Sequence, residues 1–264
     1  MGRMNMFQNK KFQPNSNQTK KRVLTKKFRA MRKLNLIMKF VVLALLMFNF
    51  HPTNAQNKRE ISLQDAKEIA KRHNEILSQT IRDNMTKEEF EEEIIKHAPD
   101  ELNPDLQNQI LEYLNSKDEK SLEMEILKHL KTKQSIAIYK SAKKIILTSP
   151  DNYSALLDNK IKEASKLKGK EREILYIFIE VSKESLNFWN NYKKKVNLPA
   201  NNNQAKKSID WGAIAYADGA GAVGTLLRTW ALAGFGPLSW GAIIGAIGWG
   251  AAWASGTSLL YQLM

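Results

Sequence analysis

The stretch that decides the fold is IDWGAIAYADGAGAVGTLLRTWALAGFGPLSWGAIIGAIGWGAAWASGTSLLYQLM, residues 209–264. It holds eleven of the thirteen glycines and five of the six tryptophans, and its only charged side chains are Asp210, Asp218 and Arg228. Phe235, Gly236 and Pro237 divide it, because proline cannot continue a helix and glycine loosens its end. Gly236 and Pro237 are therefore the expected hinge. Each half is about 25 residues, or ~37 Å as a helix, against a hydrocarbon core of ~30 Å. The expectation is an apolar helical hairpin.

Small residues keep register within each half. Ala213, Ala217, Ala220 and Gly224 follow spacings of 4, 3 and 4, and Gly241, Gly245, Gly248 and Ala252 repeat them. At ~100° per residue these positions stay within a narrow arc, a smooth seam along which another backbone can approach. The aromatic residues supply a second signal. Trp211 and Trp230 are 19 residues apart and Trp240 and Tyr261 are 21 apart, or ~28 and ~31 Å along a helix, the separation of two bilayer interfaces. Trp249 and Trp253, four apart, fall outside that pattern and read as a packing or lipid-facing patch. Asp218 opposes insertion, since a central acidic residue costs ~2.5–3.5 kcal/mol on insertion scales. Asp218 and Arg228 are thus the residues expected to control insertion, with acidification neutralising the former.

The run Ala217-Asp218-Gly219-Ala220-Gly221-Ala222-Val223-Gly224, then Gly236-Pro237 and Gly241-Ala242-Ile243-Ile244-Gly245-Ala246, resembles the glycine-zipper region of bacteriocin-like peptides. The resemblance covers about 50 residues, roughly 211–258. It implies helix pairing within a target membrane and permeabilisation of it. The chain lacks that family's double-glycine leader and adds a long helical region. A soluble bundle joined to an apolar hairpin also resembles pore-forming colicins, by architecture only.

Upstream, residues 56–198 are charged, helix-favouring and hold a single glycine, Gly169. Ile61, Ala66, Ile69, Ala70, His73, Ile76, Leu77 and Ile81 recur three and four apart, an apolar stripe on one helix face. Thr86 with Glu89 is a capping box, and Asn103 before Pro104 is an N-cap with proline in the first turn. A segment from Lys120 to Thr148 breaks near Thr132; Ser149 and Pro150 repeat the cap signal, and Gly169 suits a left-handed helix end. The last helix is expected over Lys170–Val196. Five or six amphipathic helices without a strand signal predict an all-α bundle. The segment 199–208, with three consecutive asparagines, reads as a linker into the hairpin domain of 209–264.

The formal net charge of +14 is unevenly placed. Residues 1–55 carry twelve Lys or Arg and no acid, so the remainder has 29 basic and 27 acidic residues. The excess therefore sits in a leader, and nucleic acid is not an expected partner. Residues 1–30 read as a basic disordered extension, with Met1 and Met31 both candidate starts. Residues 31–55 read as a signal peptide: Arg32, Lys33 and Lys39 precede the apolar run Phe40–Phe48, and Thr53 and Ala55 suit a cleavage site before Gln56. A mitochondrial transit peptide shares the basic, acid-free composition. The expected location is secreted, periplasmic or membrane-associated.

Cysteine is absent, which excludes disulfides and a lipoprotein anchor on cysteine. Glu93 with His97, and Glu125 with His129, stand four apart and read as surface pairs, since a bundle metal site wants Glu and His three apart and further inward carboxylates. No phosphate loop or nucleophile elbow is present. The reading is a non-enzymatic protein without cofactor, metal or small-molecule substrate. Its partners are a lipid membrane, which the hairpin permeabilises, and further copies of the chain through that hairpin. The alternative is a soluble secreted interaction protein with the tail packed in its core.

Overall fold

The computed structural model describes residues 59–82, 85–195, 209–232 and 238–263. The expected basic extension 1–30, signal peptide 31–55, cleavage site at Ala55 and Gln56, linker 199–208 and hinge at Gly236 and Pro237 lie outside the described residues.

Local capping chemistry starts most of the helices. Helix α1 (Leu63–Thr80) opens on a capping box in which the Ser62 hydroxyl accepts from the Asp65 amide and Asp65 accepts from the Ser62 amide. Helix α2 (Lys87–Ile95) opens on the same device from Thr86 and Glu89, and α3 (Pro104–Asn115) starts with Pro104 behind the Asn103 cap. Asp118 caps α4 (Glu119–His129) and Thr132 caps α5 (Lys133–Thr148), so the predicted break near Thr132 is present. One cap differs from expectation. Ser149 has φ 41° and donates its amide to the Ile145 carbonyl, closing α5 rather than opening α6 (Tyr153–Ala164), whose N-cap position is Asn152. A residue already committed to a left-handed helix end cannot also supply the extended N-cap geometry of the next helix. Gly169 sits at φ 59°, where glycine carries no Cβ penalty, and opens α7 (Gly169–Lys195).

The tail forms α8 (Trp211–Leu232) and α9 (Trp240–Leu263). The fold is all-α, with no strand among the described residues. Helix α8 packs against α9, α7, α5, α4 and α3, and α9 packs against α8, α1, α2 and α3. The two most apolar helices thus lie inside a layer of amphipathic ones, within one compact unit that runs Arg59–Met264. Helix α7 is internal as well, for every residue from Glu173 to Lys183 is buried. Of its three buried charged side chains, Glu173, Glu180 and Lys183, the last two are paired, Lys183 Nζ lying 2.9 Å from both Glu180 and Asp158. Tail and bundle share their apolar clusters: Phe178, Tyr139 and Ile69 pack with Tyr216, Val223 and Ile247, and Phe90, Ile94 and Trp189 with Trp249, Trp253 and Leu259.

Asp65 ties the start of α1 to the start of α9. Its Oδ1 accepts from the Trp240 indole at 3.0 Å and from Arg59 at 2.9 Å. Burial pushes its carboxyl upward, but the Ser62 hydroxyl, the Trp240 indole, the Ser62 amide and Arg59 together hold it below the ordinary carboxylate range. A folded-state value below the unfolded ~3.9 stabilises the fold above that pH and is lost as pH falls through the folded value. Asp65→Asn is therefore expected to lower stability by about 1 kcal/mol at pH 7, with the difference from the parent shrinking towards pH 3. Urea midpoints at the two pH values check it; an undiminished difference at pH 3 refutes the ionised cap.

Candidate functional site

The tail brings two charges into the interior, and the bundle answers each. Asp218 is fully buried on α8. The Ser185 hydroxyl of α7 donates to its Oδ2, and His73 Nε2 of α1 lies 3.3 Å from the same oxygen. The other ring nitrogen, Nδ1, is 2.9 Å from Asn74 Oδ1, while Asn74 Nδ2 donates to the Glu184 carbonyl at 3.3 Å. That second bond orients the amide, so its oxygen faces His73 and Nδ1 carries the hydrogen. The Nε2–Oδ2 contact lies outside hydrogen-bond alignment, so the ring packs against Asp218 while Ser185 supplies the bond. Three helices are joined at this one carboxylate.

The trio contains a serine, a histidine and an aspartate, but it is not arranged for nucleophilic catalysis. Such a triad places histidine between the other two, so that the imidazole can take the serine proton. Here Asp218 is central, Ser185 bonds to Asp218 rather than to His73, and all three side chains are closed to solvent. The arrangement can hold a charge and join helices; it offers no entry for a substrate. Ser182 Oγ and Asp218 Oδ1 are also buried without hydrogen-bond partners.

Arg228 is half-buried near the far end of α8 and donates from Nη2 to Gln109 Oε1 of α3 at 3.1 Å. A second polar link joins the Tyr139 and Tyr216 hydroxyls, 3.0 Å apart, with Lys143 Nζ 4.4 Å from the Tyr216 ring centre and bonded to Glu123 at 2.8 Å. Burial first, and then the Tyr216 hydroxyl, push the Tyr139 phenol well above its ordinary range. Every charge and phenol that the tail carries inward is thus contacted by a polar group from another helix.

The predicted seams do not face each other in this fold. Helices α8 and α9 approach most closely where Gly221 meets Ala254 and where Gly250 meets Thr225; a Cβ on Gly250 would lie 2.0 Å from Thr225 Oγ1. Among the seam residues, Gly224 faces Leu122 and Tyr113, Gly245 faces Pro99, and Gly248 faces the Ile69 carbonyl and Arg72. Ala220 and Ala252 are buried, Ala213 and Ala217 are half-buried, and Gly241 is exposed. Hydrophobic demand differs on each side of these helices, so the small residues are shared among several neighbours instead of one.

The aromatic residues separate likewise. Trp211 stacks on Trp189 with centroids 5.5 Å apart, Trp230 lies beneath Lys170, Trp240 bonds to Asp65, and Tyr261 is 74% exposed. Trp249 and Trp253 pack inward, their indoles donating to the Ile94 carbonyl and to Asn115 Oδ1. Glu93 pairs with Lys96 and Arg82, and Glu125 with Lys117. No group of three or more His, Cys, Asp or Glu is placed to hold a metal among the described residues.

In the sequence His73 falls on an apolar stripe and Asp218 is the one acid of α8, while no pattern marks Ser185. A signal was present: a histidine at a core position and a lone acid in an apolar helix each need a buried partner, and each can supply the other's. No protein-family model, curated protein or solved structure matches this chain.

Proposed function

We propose that this is an exported, non-enzymatic protein that carries an apolar C-terminal hairpin enclosed by amphipathic helices and delivers it to a lipid bilayer, which it permeabilises. The observation that supports this reading is the enclosure of a membrane-length apolar helix pair by charged helices. The helices with the least charge, α8 and α9, sit innermost, while the charged helices surround them. Helix α9 is 24 residues long, uncharged and apolar enough to cross a membrane; two-thirds of that stretch is buried inside the fold. The close approaches at Gly221 and Gly250 lie within the hairpin and survive its transfer to lipid. The glycines that rest on other helices become free to pair with a second hairpin once the bundle opens.

The absence of cysteine permits a direct test. A Cβ on Gly248 would lie 3.1 Å from Arg72 Cβ, a few tenths of an ångström short of the ~3.5–4.5 Å of a disulfide. The chain Gln56–Met264 carrying Arg72→Cys and Gly248→Cys is expected to be inert towards dye-loaded vesicles when oxidised and to release dye when reduced. Equal release by both forms, with the disulfide verified by mass, refutes delivery of the hairpin by opening.

A second reading, a soluble interaction protein with the tail as its permanent core, draws on the tight backbone fits. Cβ atoms on Gly212 and Gly219 would lie 2.8 Å from the carbonyl oxygens of Ile146 and Phe178. A parent chain that stays in the aqueous phase and releases no dye at neutral or acidic pH selects that reading.

A further inference from the structure

The end of the unit at which α8 stops and α9 starts is built asymmetrically. The Trp230 ring lies 4.7 Å from Lys170 Nζ, which places the last turn of α8 beside the first turn of α7. The Trp240 ring, at the start of α9, lies 4.9 Å from the Arg59 guanidinium, and Arg172 bonds to Glu60, so α1, α7 and α9 begin together at this end. Glu171 then draws in the α4–α5 loop. Its Oε1 accepts from the Thr132 amide at 2.7 Å, from the Ser135 hydroxyl at 2.8 Å and from the Lys131 amide.

That one carboxylate assembles a basic rim. It brings Lys128, Lys131 and Lys133 next to Lys166, Lys168 and Lys170; all six are exposed, and none has an ion-pair partner among the described residues. The acids that could neutralise them are engaged elsewhere. Glu171 is spent on loop amides, Glu173 is buried, Glu163 pairs with Lys160, Glu60 with Arg172 and Asp65 with Arg59. Burial pushes the Glu171 carboxyl up, but the Thr132 amide, the Ser135 hydroxyl and the Lys131 amide hold it below its ordinary range. The loop therefore stays anchored at neutral pH. Asp100 and Glu101 lie on the other side of this end, where Glu101 accepts from the Ser239 hydroxyl.

We infer that this lysine rim, with Trp230 at its inner edge, is the surface on which the folded protein docks onto an anionic lipid bilayer, with the starts of α1, α7 and α9 towards the lipid. The inference rests on the membrane reading above and names its lipid class and orientation. The charge is complementary to anionic headgroups, and the aromatic residue inside the rim is of the kind that settles at the headgroup level. A nucleic-acid partner would share the charge preference but would leave the apolar hairpin behind the rim without a role. The docking is electrostatic, so it weakens as salt rises.

The test uses the chain Gln56–Met264 and a variant carrying Lys131→Glu, Lys166→Glu and Lys168→Glu, with a Lys→Arg triple as control. Co-sedimentation with phosphatidylcholine vesicles with and without phosphatidylserine reads docking, and dye release is read separately. The expected result is selective binding to the anionic vesicles, weakened by salt. The Glu variant should bind at least ~30-fold more weakly with an unchanged thermal midpoint, and the Arg variant should bind like the parent. Equal binding to both vesicle types, or unaltered binding by the Glu variant, overturns the rim while dye release still upholds hairpin delivery. Selective binding without release leaves the rim standing and removes permeabilisation. Salt-sensitive binding to RNA with no binding to either vesicle also overturns the inference.

Discussion

A chain that stops at Lys207 is expected to lose the cooperative unfolding transition of the parent. The truncation removes Ile214, Tyr216, Val223, Leu226, Leu227, Ile247, Trp249, Trp253, Leu259 and Leu260 from the two apolar clusters. At ~1.5–3 kcal/mol per buried side chain the loss is roughly 15–30 kcal/mol, more than the ~5–15 kcal/mol by which whole domains are stable. It also uncovers α7, in which every residue from Glu173 to Lys183 is buried in the intact chain. Urea titration followed by far-UV circular dichroism checks this: the parent should give one sigmoid and the truncated chain a shallow, featureless decline. A truncated chain with the parent's midpoint would make residues 209–264 dispensable for the fold and contradict the central packing. For the same reason, vesicle experiments need the disulfide-locked chain as their silent control, because the truncated chain would expose apolar surface of its own.

Replacing Asp218 has the second-largest expected effect. Asp218→Ala leaves the Ser185 hydroxyl and the His73 ring facing a cavity with no acceptor between them, at the junction of α1, α7 and α8. Leaving a buried donor without its acceptor and opening a cavity beside it together cost about 3–5 kcal/mol. Asp218→Asn retains an oxygen that accepts from Ser185 and is expected to cost only about 1–2 kcal/mol. The order parent, Asn, Ala in urea midpoint is the checkable result; an Ala variant as stable as the parent would show that the trio holds nothing together. The Asn variant also tests control of insertion. If Asp218 resists transfer of α8 into lipid, Asp218→Asn should release vesicle contents at higher pH than the parent, and an unchanged pH profile refutes that role.

Much of the secondary structure was legible because it is locally determined. Thr86 with Glu89 and Asn103 with Pro104 are caps whose partners lie within three or four residues, each acts where its spacing predicts, and the break expected near Thr132 is present. Ser149 misled because a serine before proline can close one helix as readily as open another, and the choice turns on a backbone dihedral that composition does not display. Tertiary choices were less visible. Gly219, outside the predicted seam, meets the Phe178 carbonyl and Ser182, whereas Gly245, inside it, meets only Pro99. Spacing along a helix locates a smooth stripe but does not say which neighbour presses on it.

What the sequence by itself determined is the helical class, most of the helix boundaries, the division of residues 209–264 into two apolar helices, and the singular position of Asp218. These follow from periodicity, caps and composition, all short-range properties. Only the tertiary structure decided that the hairpin lies at the centre of the bundle and that α7 is buried with it. It alone brings His73 and Ser185, from 145 and 33 residues away along the chain, to one carboxylate, and gathers six lysines from two helix junctions around Glu171. The physical reason is that an apolar helix with small side chains is satisfied equally by lipid or by other helices. What settles its place in this fold is the complement of buried polar partners held by distant segments, which no local pattern encodes.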